Sequence, residues 1–227
     1  MSIELDFPAV LERWPNFLGG AVLTLELAFF ATAFGALLGT LAAVGRGNQS
    51  RLVARICKVY VEAIRNTPLL VQIFLVYFGL ASVGLKLSAF TVAVLALTIN
   101  VGAYTAEIMR AGFEAIPRGQ IEAAEGLALT RFQIYWHIIL LPAVEKVYPA
   151  LTSQFVLLML ASSVCSQISA EELTAVANYI QSDTYRAFET YIIVAVLYIL
   201  LSLVMRAGFW GLGLFLFPRR RQLGTPL

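Results

Sequence analysis

The chain has 227 residues, of which 59% are hydrophobic and 13% charged, with a net charge of +2 and a mean hydropathy of +0.80. A soluble domain is about 25% charged, so this chain has too few charges to cover a water-facing surface. That excludes an ordinary soluble enzyme, a disordered chain and a disulfide scaffold, and the charge is too small to be a nucleic-acid footprint.

The first 18 residues hold Glu4, Asp6, Glu12 and Arg13. A secretory leader begins basic and turns apolar early; this acidic start is expected to stay on the protein and lie at the membrane surface. Five apolar runs follow, at 19–44, 69–85, 88–109, 147–168 and 191–217. Each approaches the roughly 20 residues that cross a bilayer. Their only charges are Glu26 in the first, Glu107 in the third and Arg206 in the fifth. The second run is short, and residues 56–64 are expected to continue it at an angle. The expected fold is an all-α integral membrane protein with five transmembrane helices. Its parts are an extracytoplasmic segment 1–18, a single membrane domain 19–217 and a cytoplasmic tail 218–227.

Cytoplasmic segments carry the excess of Lys and Arg. Arg13, Lys86 and Arg186 lie in the odd-numbered segments, against twelve basic residues in the alternate ones, from Arg46 through Arg131 to Arg221. The expected orientation is therefore N-terminus outside and C-terminus inside. The acids Glu171, Glu172, Asp183 and Glu189 then fall in the outer segment between spans four and five.

No G-x-x-x-x-G-K-[ST] phosphate loop, HExxH or GxSxG motif occurs, so the chain holds no recognisable means of capturing nucleotide energy. The one histidine, His137, and the two distant cysteines, Cys57 and Cys165, have no metal-ligand spacing, and no metal site is expected. Uphill transport would need an ion gradient or a separate energy-supplying subunit.

Residues 110–146 form the longest cytoplasmic stretch. Pro117 and Gly119 break the chain after span three, and 120–132 is rich in alanine and glutamate, which favour helix. Ala124, Leu127, Ala128 and Arg131 share a face at i, i+3, i+4, i+7. Helix physics alone allows either an amphipathic helix on the membrane or a small-residue surface that another protein approaches closely.

Glu122-Ala123-Ala124, followed by Ile139-Leu140-Leu141-Pro142, resembles the EAA loop of ABC importer permeases. Two departures stand out: Ala128 occupies the position where that pattern has glycine, and the I-x-L-P group comes one residue late. The Arg65-Asn66-Thr67-Pro68 stretch within 62–72, and residues 100–112 around Asn100, Tyr104 and Glu107, are similar to spans two and three of polar amino-acid permeases of the histidine/glutamate/glutamine/arginine type. A weaker similarity covers 162–174, where Leu160 and Ala161 replace the polar pair that usually precedes it.

The resemblance implies a type I importer permease fold (MetI-like) in a bacterial inner membrane. It implies a second permease subunit (the same chain or a related one), two ATPase subunits that bind ATP and magnesium, an external substrate-binding protein and an amino-acid substrate. No cofactor is expected in this chain, and it is expected not to be an enzyme. The loop at 117–142 would carry the coupling helix, with Gln120, Glu122, Ala123, Ala124, Leu127 and Ala128 meeting the ATPase and Glu122 making charge-assisted contacts.

Ionisable and polar groups inside spans are functional candidates. Glu26, Asn100, Tyr104, Gln154, Ser162 and Ser163 are the candidate substrate pathway. Asn100 and Tyr104 lie one turn apart and would otherwise join helices by hydrogen bonds; the serines would otherwise cap backbone. Glu107 and Arg110, with Arg65, read as a structural ion cluster. The alternative reading, half of an ion-gradient transporter, predicts coupling acids deep in the membrane; only Glu26 lies in the outer or middle part of a span.

Overall fold

The computed structural model describes residues 5–217; Glu4 and the 218–227 tail with Arg219, Arg220 and Arg221 lie outside the described residues. The helices in chain order are α1 (Phe7–Leu11), α2 (Trp14–Arg46), α3 (Arg51–Arg65), α4 (Leu69–Ser82), α5 (Ala89–Glu114), α6 (Arg118–Gly126) and α7 (Arg131–Gln133). A π-helical stretch, Ile134–Leu140, then leads into α8 (Leu141–Ala161), a 3₁₀ turn (Ser162–Ile168), α9 (Leu173–Thr184) and α10 (Ala187–Leu216).

Among the described residues, four helical segments are long and apolar enough to cross a membrane: Trp14–Arg46, Ala89–Glu114, Arg131–Ile168 and Ala187–Leu216. A fifth is reached only if α3 and α4, whose axes turn by 113°, are counted together as one broken span. Pro68, the N-cap of α4, has no N–H to carry the α3 ladder onward, and it pushes the residue before it out of helical geometry. At about 1.5 Å per residue, the 14 residues of α4 reach about 21 Å, short of the roughly 30 Å hydrocarbon core. The expected angle at 56–64 is thus a break with a new direction, not a bend in one span.

α2 packs along α5 over most of its length, and glycine makes this possible. A Cβ built on Gly39 would stand 2.5 Å from the Gly102 carbonyl and 2.5 Å from Thr105 Cβ, and one on Gly35 would collide with Val101. Small residues let backbones approach where lipid gives no hydrophobic drive for helix association. α2 lies between two cores. Leu27, Ala31, Ala42 and Ala43 join α5 and α8 residues such as Leu97, Val101, Met109 and Leu158. Phe17, Ala21 and Ala28 join Leu173, Ala177, Ile180 and Leu197 of α9 and α10.

α2 begins at Trp14 with Pro15 in its first turn, ahead of the expected start at 19. The segment before it is clasped to the end of α9 and the start of α10. The Asp6 N–H donates to Glu189 at 3.0 Å, and Arg13 pairs with Asp183 at 2.5 Å. α9 was not anticipated as a helix. Its buried residues Leu173, Ala177 and Ile180 recur at i, i+4, i+7, and Glu172 caps it by accepting from Thr174 N and Ala175 N at 2.9 Å.

Candidate coupling segment and pathway residues

The segment 117–142 folds as a compact arm rather than the single helix expected over 120–132. α6 starts after Pro117 and stops at Gly126. Ala128 N–H donates to Glu125 O at 2.9 Å and Leu129 N–H to Ala124 O at 3.2 Å, the paired bonds of a Schellman termination. That motif puts Ala128 at φ +56°, left-handed backbone that glycine occupies most readily. This is the position at which glycine was expected. The left-handed turn ends the shared face of Ala124, Leu127, Ala128 and Arg131, because Arg131 opens α7 under a Thr130–Gln133 capping box.

The other departure also has a local answer. Residues 134–140 wind as π-helix, in which hydrogen bonds run i→i+5 and each turn holds an extra residue. The one-residue delay of Ile139-Leu140-Leu141-Pro142 is absorbed there, so Pro142 still lands in the first turn of α8.

α6 packs on the π-helical stretch, with Ala124 and Ile134 the buried residues of the two elements. Ala124 was expected on the open face; its small side chain instead admits the chain's own π-helix. Gln120, Glu122, Ala123 and Ala128 are exposed, and Leu127 is 77% exposed. Glu122 makes no hydrogen bond or ion pair among the described residues. Sequence reasoning missed an exposed aromatic pair on the same arm. Phe132 and Trp136 stack with centroids 6.3 Å apart, and their i, i+4 spacing was the available signal.

Behind the arm, Glu107 gathers three guanidinium groups from three helices. Arg46 reaches it at 2.6 Å, Arg65 at 3.5 Å, and Arg110 grips the other carboxylate oxygen. Arg110 also pairs with Glu114 at 2.5 Å. Arg46 had not been assigned to this cluster; nothing in sequence spacing links it to a residue 61 positions away.

The pathway candidates separate by their partners. Asn100 donates to Gln72 Oε1 at 2.9 Å. The Gln72 amide in turn donates to Ile64 O at 2.7 Å and Thr67 O at 2.9 Å. These two buried amides staple the α3–α4 break to α5. Tyr104 lies under Arg65, with the guanidinium 5.7 Å from the ring centroid. Ser162 is fully buried and donates to Met159 O at 2.7 Å. Ser163 and Gln154 are half-buried, and no described group bonds either side chain. Glu26 is exposed on α2, among the uncovered Val22, Phe29 and Phe30.

Residues 15–209 match the family described as "binding-protein-dependent transport system inner membrane component". The chain is 34% identical to a nopaline transport system permease protein of Agrobacterium fabrum, over 91% of this chain and 92% of that one. It is 34% identical to a putative glutamine transport system permease protein of Rickettsia conorii, over 82% and 86%. Among solved structures, an amino acid ABC transporter crystallised with histidines superposes with a TM-score of 0.84 at 37% identity, over 93% and 99% of the two chains. An inward-facing methionine transporter superposes with a TM-score of 0.74 at 21% identity, over 90% and 98%.

Proposed function

The chain belongs to the binding-protein-dependent transport system inner membrane components, and from that premise we propose how its parts divide the work. The protein is a multi-pass inner-membrane permease of the ABC importer class, with the MetI-like fold. Its substrate is a polar amino acid, a reading supported by relatives named for glutamine and nopaline and by the histidine-bearing transporter it superposes on. The gradient-driven alternative has no support among these relatives.

This subunit performs no chemistry. ATP and its magnesium are held by separate ATPase subunits that dock beneath α6, a second permease completes the channel, and an external binding protein delivers the substrate. The arm faces the cytoplasm, as do the 218–227 tail and the basic loops, and the 1–18 segment is outside. Gln120, Glu122, Ala123, Leu127 and Ala128 form the docking face, while Ala124 seats the helix from behind. Phe132 and Trp136 extend that face with the large aromatic contacts that dominate many interfaces. Closure of the ATPase pair on nucleotide moves the arm, and the arm moves α8.

In the substrate route, Gln154 and Ser163 supply unengaged polar atoms, and Glu26 meets the ammonium or guanidinium group near the outer end. Asn100, Tyr104 and Ser162 hold the route's walls. The observation that carries the coupling reading is the exposed, unpaired Glu122 carboxylate on a short helix with fixed ends. In the reconstituted importer, Glu122→Lys with Ala123→Trp is expected to lower uptake and binding-protein-stimulated ATP hydrolysis about 100-fold, as expected when a buried interface charge pair is replaced by repulsion. The amount of permease in the membrane should stay unchanged. Uptake at the wild-type rate would remove this face from the coupling path.

A further inference from the structure

α3 has three stripes, and only one packs against the protein. Ala54, Cys57, Val61 and Ile64 face the body; Cys57 lies against Gly45, and the Tyr60 hydroxyl donates to Ile99 O at 2.8 Å. A second stripe, at i, i+4, i+7, is apolar and uncovered: Leu52 is 68% exposed, Ile56 59% and Val59 58%. The third stripe is Arg51, Arg55, Lys58 and Glu62, all exposed. Arg51 and Arg55 make no ion pair among the described residues, and Lys58 meets Glu62 only at 3.7 Å.

The direction of the helix gives these stripes a meaning. α4 runs beside the spanning α5, so a turn of 113° lays α3 across the bundle end instead of along it. At that end a cleft of about 570 Å³ opens between α2, α3 and α5. Arg46, Arg55, Lys58 and Arg110 line it, with Glu114 and Phe113. Arg46 and Arg110 are tied to Glu107 and Glu114, which leaves Arg55 and Lys58 as the cations with charge to spare. A helix lying across a membrane end, with an apolar stripe beside a basic one, matches an interfacial helix. Basic clefts between spanning helices on the cytoplasmic side suit phospholipid headgroups.

We propose that α3 and this cleft form a binding site for an anionic phospholipid of the inner leaflet, its phosphate between Arg55 and Lys58 and its acyl chains over Leu52, Ile56 and Val59. Charge selects the occupant: a zwitterionic lipid would cover the apolar stripe equally well but leave the spare cations unneutralised. Because Arg65, at the far end of α3, reaches the Glu107 cluster, the lipid anchors the same helix that closes the ion cluster behind the arm.

The test uses the whole importer in nanodiscs of phosphatidylcholine with and without phosphatidylglycerol, followed by native mass spectrometry of the retained lipid. Wild type should retain phosphatidylglycerol in preference to phosphatidylcholine. Arg55→Gln with Lys58→Gln should lower that retention about thirtyfold, from roughly a fivefold contribution per basic residue near an anionic surface. Arg55→Lys with Lys58→Arg should restore it, and a photo-crosslinker in place of Ile56 should label lipid. Equal retention of the two lipids, or retention unchanged in the double glutamine variant, would overturn the proposal. So would displacement of the lipid by millimolar inorganic phosphate, which would make this a free-anion site. Crosslinking of position 56 to a second permease would overturn it too, by giving the apolar stripe to a subunit.

Discussion

The two ends of this bundle are held by different physics. At the end that carries the N-terminus, ties join residues far apart in the chain: Arg13 to Asp183, Asp6 to Glu189, and the Leu173 N–H to Thr24 Oγ1 at 3.1 Å. Glu172 is fully buried there and accepts from the Tyr198 hydroxyl at 2.8 Å. At the other end, the arm caps itself with local bonds, through the Ala128 termination and the Thr130–Gln133 box, and buries little beyond Ala124 and Ile134. A region tied by distant bonds unfolds or moves with the whole molecule, whereas one built from local bonds moves as a unit of its own. The difference is that between a frame and a lever.

The largest expected effect breaks the frame. A Cβ on Gly20 would sit 2.9 Å from Val176 Cγ2 and 3.0 Å from Leu173 Cα, where backbone cannot yield. Gly20→Leu is expected to cost about 3 kcal/mol, read as a lowered thermal midpoint of the purified complex. On the arm, a Cβ on Gly126 would meet nothing within 4 Å, and Gly126→Leu should leave that midpoint nearly unmoved. Equal losses at the two glycines would dissolve the contrast between the ends.

A smaller effect depends on pH. Burial, with four hydrogen bonds opposing it, pushes the Glu172 carboxyl above its ordinary value. The folded chain therefore keeps a proton that the unfolded chain has already released. Stability is highest below the ordinary carboxylate range and falls as pH rises through that range to the raised folded value. Glu172→Gln should flatten this slope in a series of thermal midpoints; an unchanged slope would assign it to another group.

The smallest effect sharpens the picture of the lever. Ala128→Gly removes the cost of holding an alanine in left-handed backbone, about 1 kcal/mol. It should raise protection of the α6 amides in hydrogen exchange without altering exchange in α9. Protection spreading to α9 would mean that the arm is not an independent unit.

Much of the frame was legible beforehand. Hydropathy marks the apolar runs because lipid demands them, and the shortness of the second run points to the angle between α3 and α4. α9 was not legible as a helix because Asn178, Gln181, Ser182 and Asp183 dilute its apolar stripe and Glu172 reads as one more outer acid until its capping bonds are seen. The end of α6 at Ala128 was hidden for the opposite reason: alanine signals helix, and the local bonds that hold its positive φ leave no mark in its identity. The pathway candidates are polar groups inside spans, and their partners decide what each can do. Asn100 and Gln72 are 28 residues apart, and nothing local says that each satisfies the other.

The π-helical stretch between the arm and α8 has a mechanical corollary. An α-helix turns through about 100° and advances about 1.5 Å per residue, so a surplus residue wound into one wide turn is stored rotation. Rewinding Ile134–Leu140 to ordinary pitch would swing the short helices α6 and α7 through roughly that angle while α8 stayed seated on α5. Such a change of helical pitch would turn the arm on α8 by no more than a single residue's step.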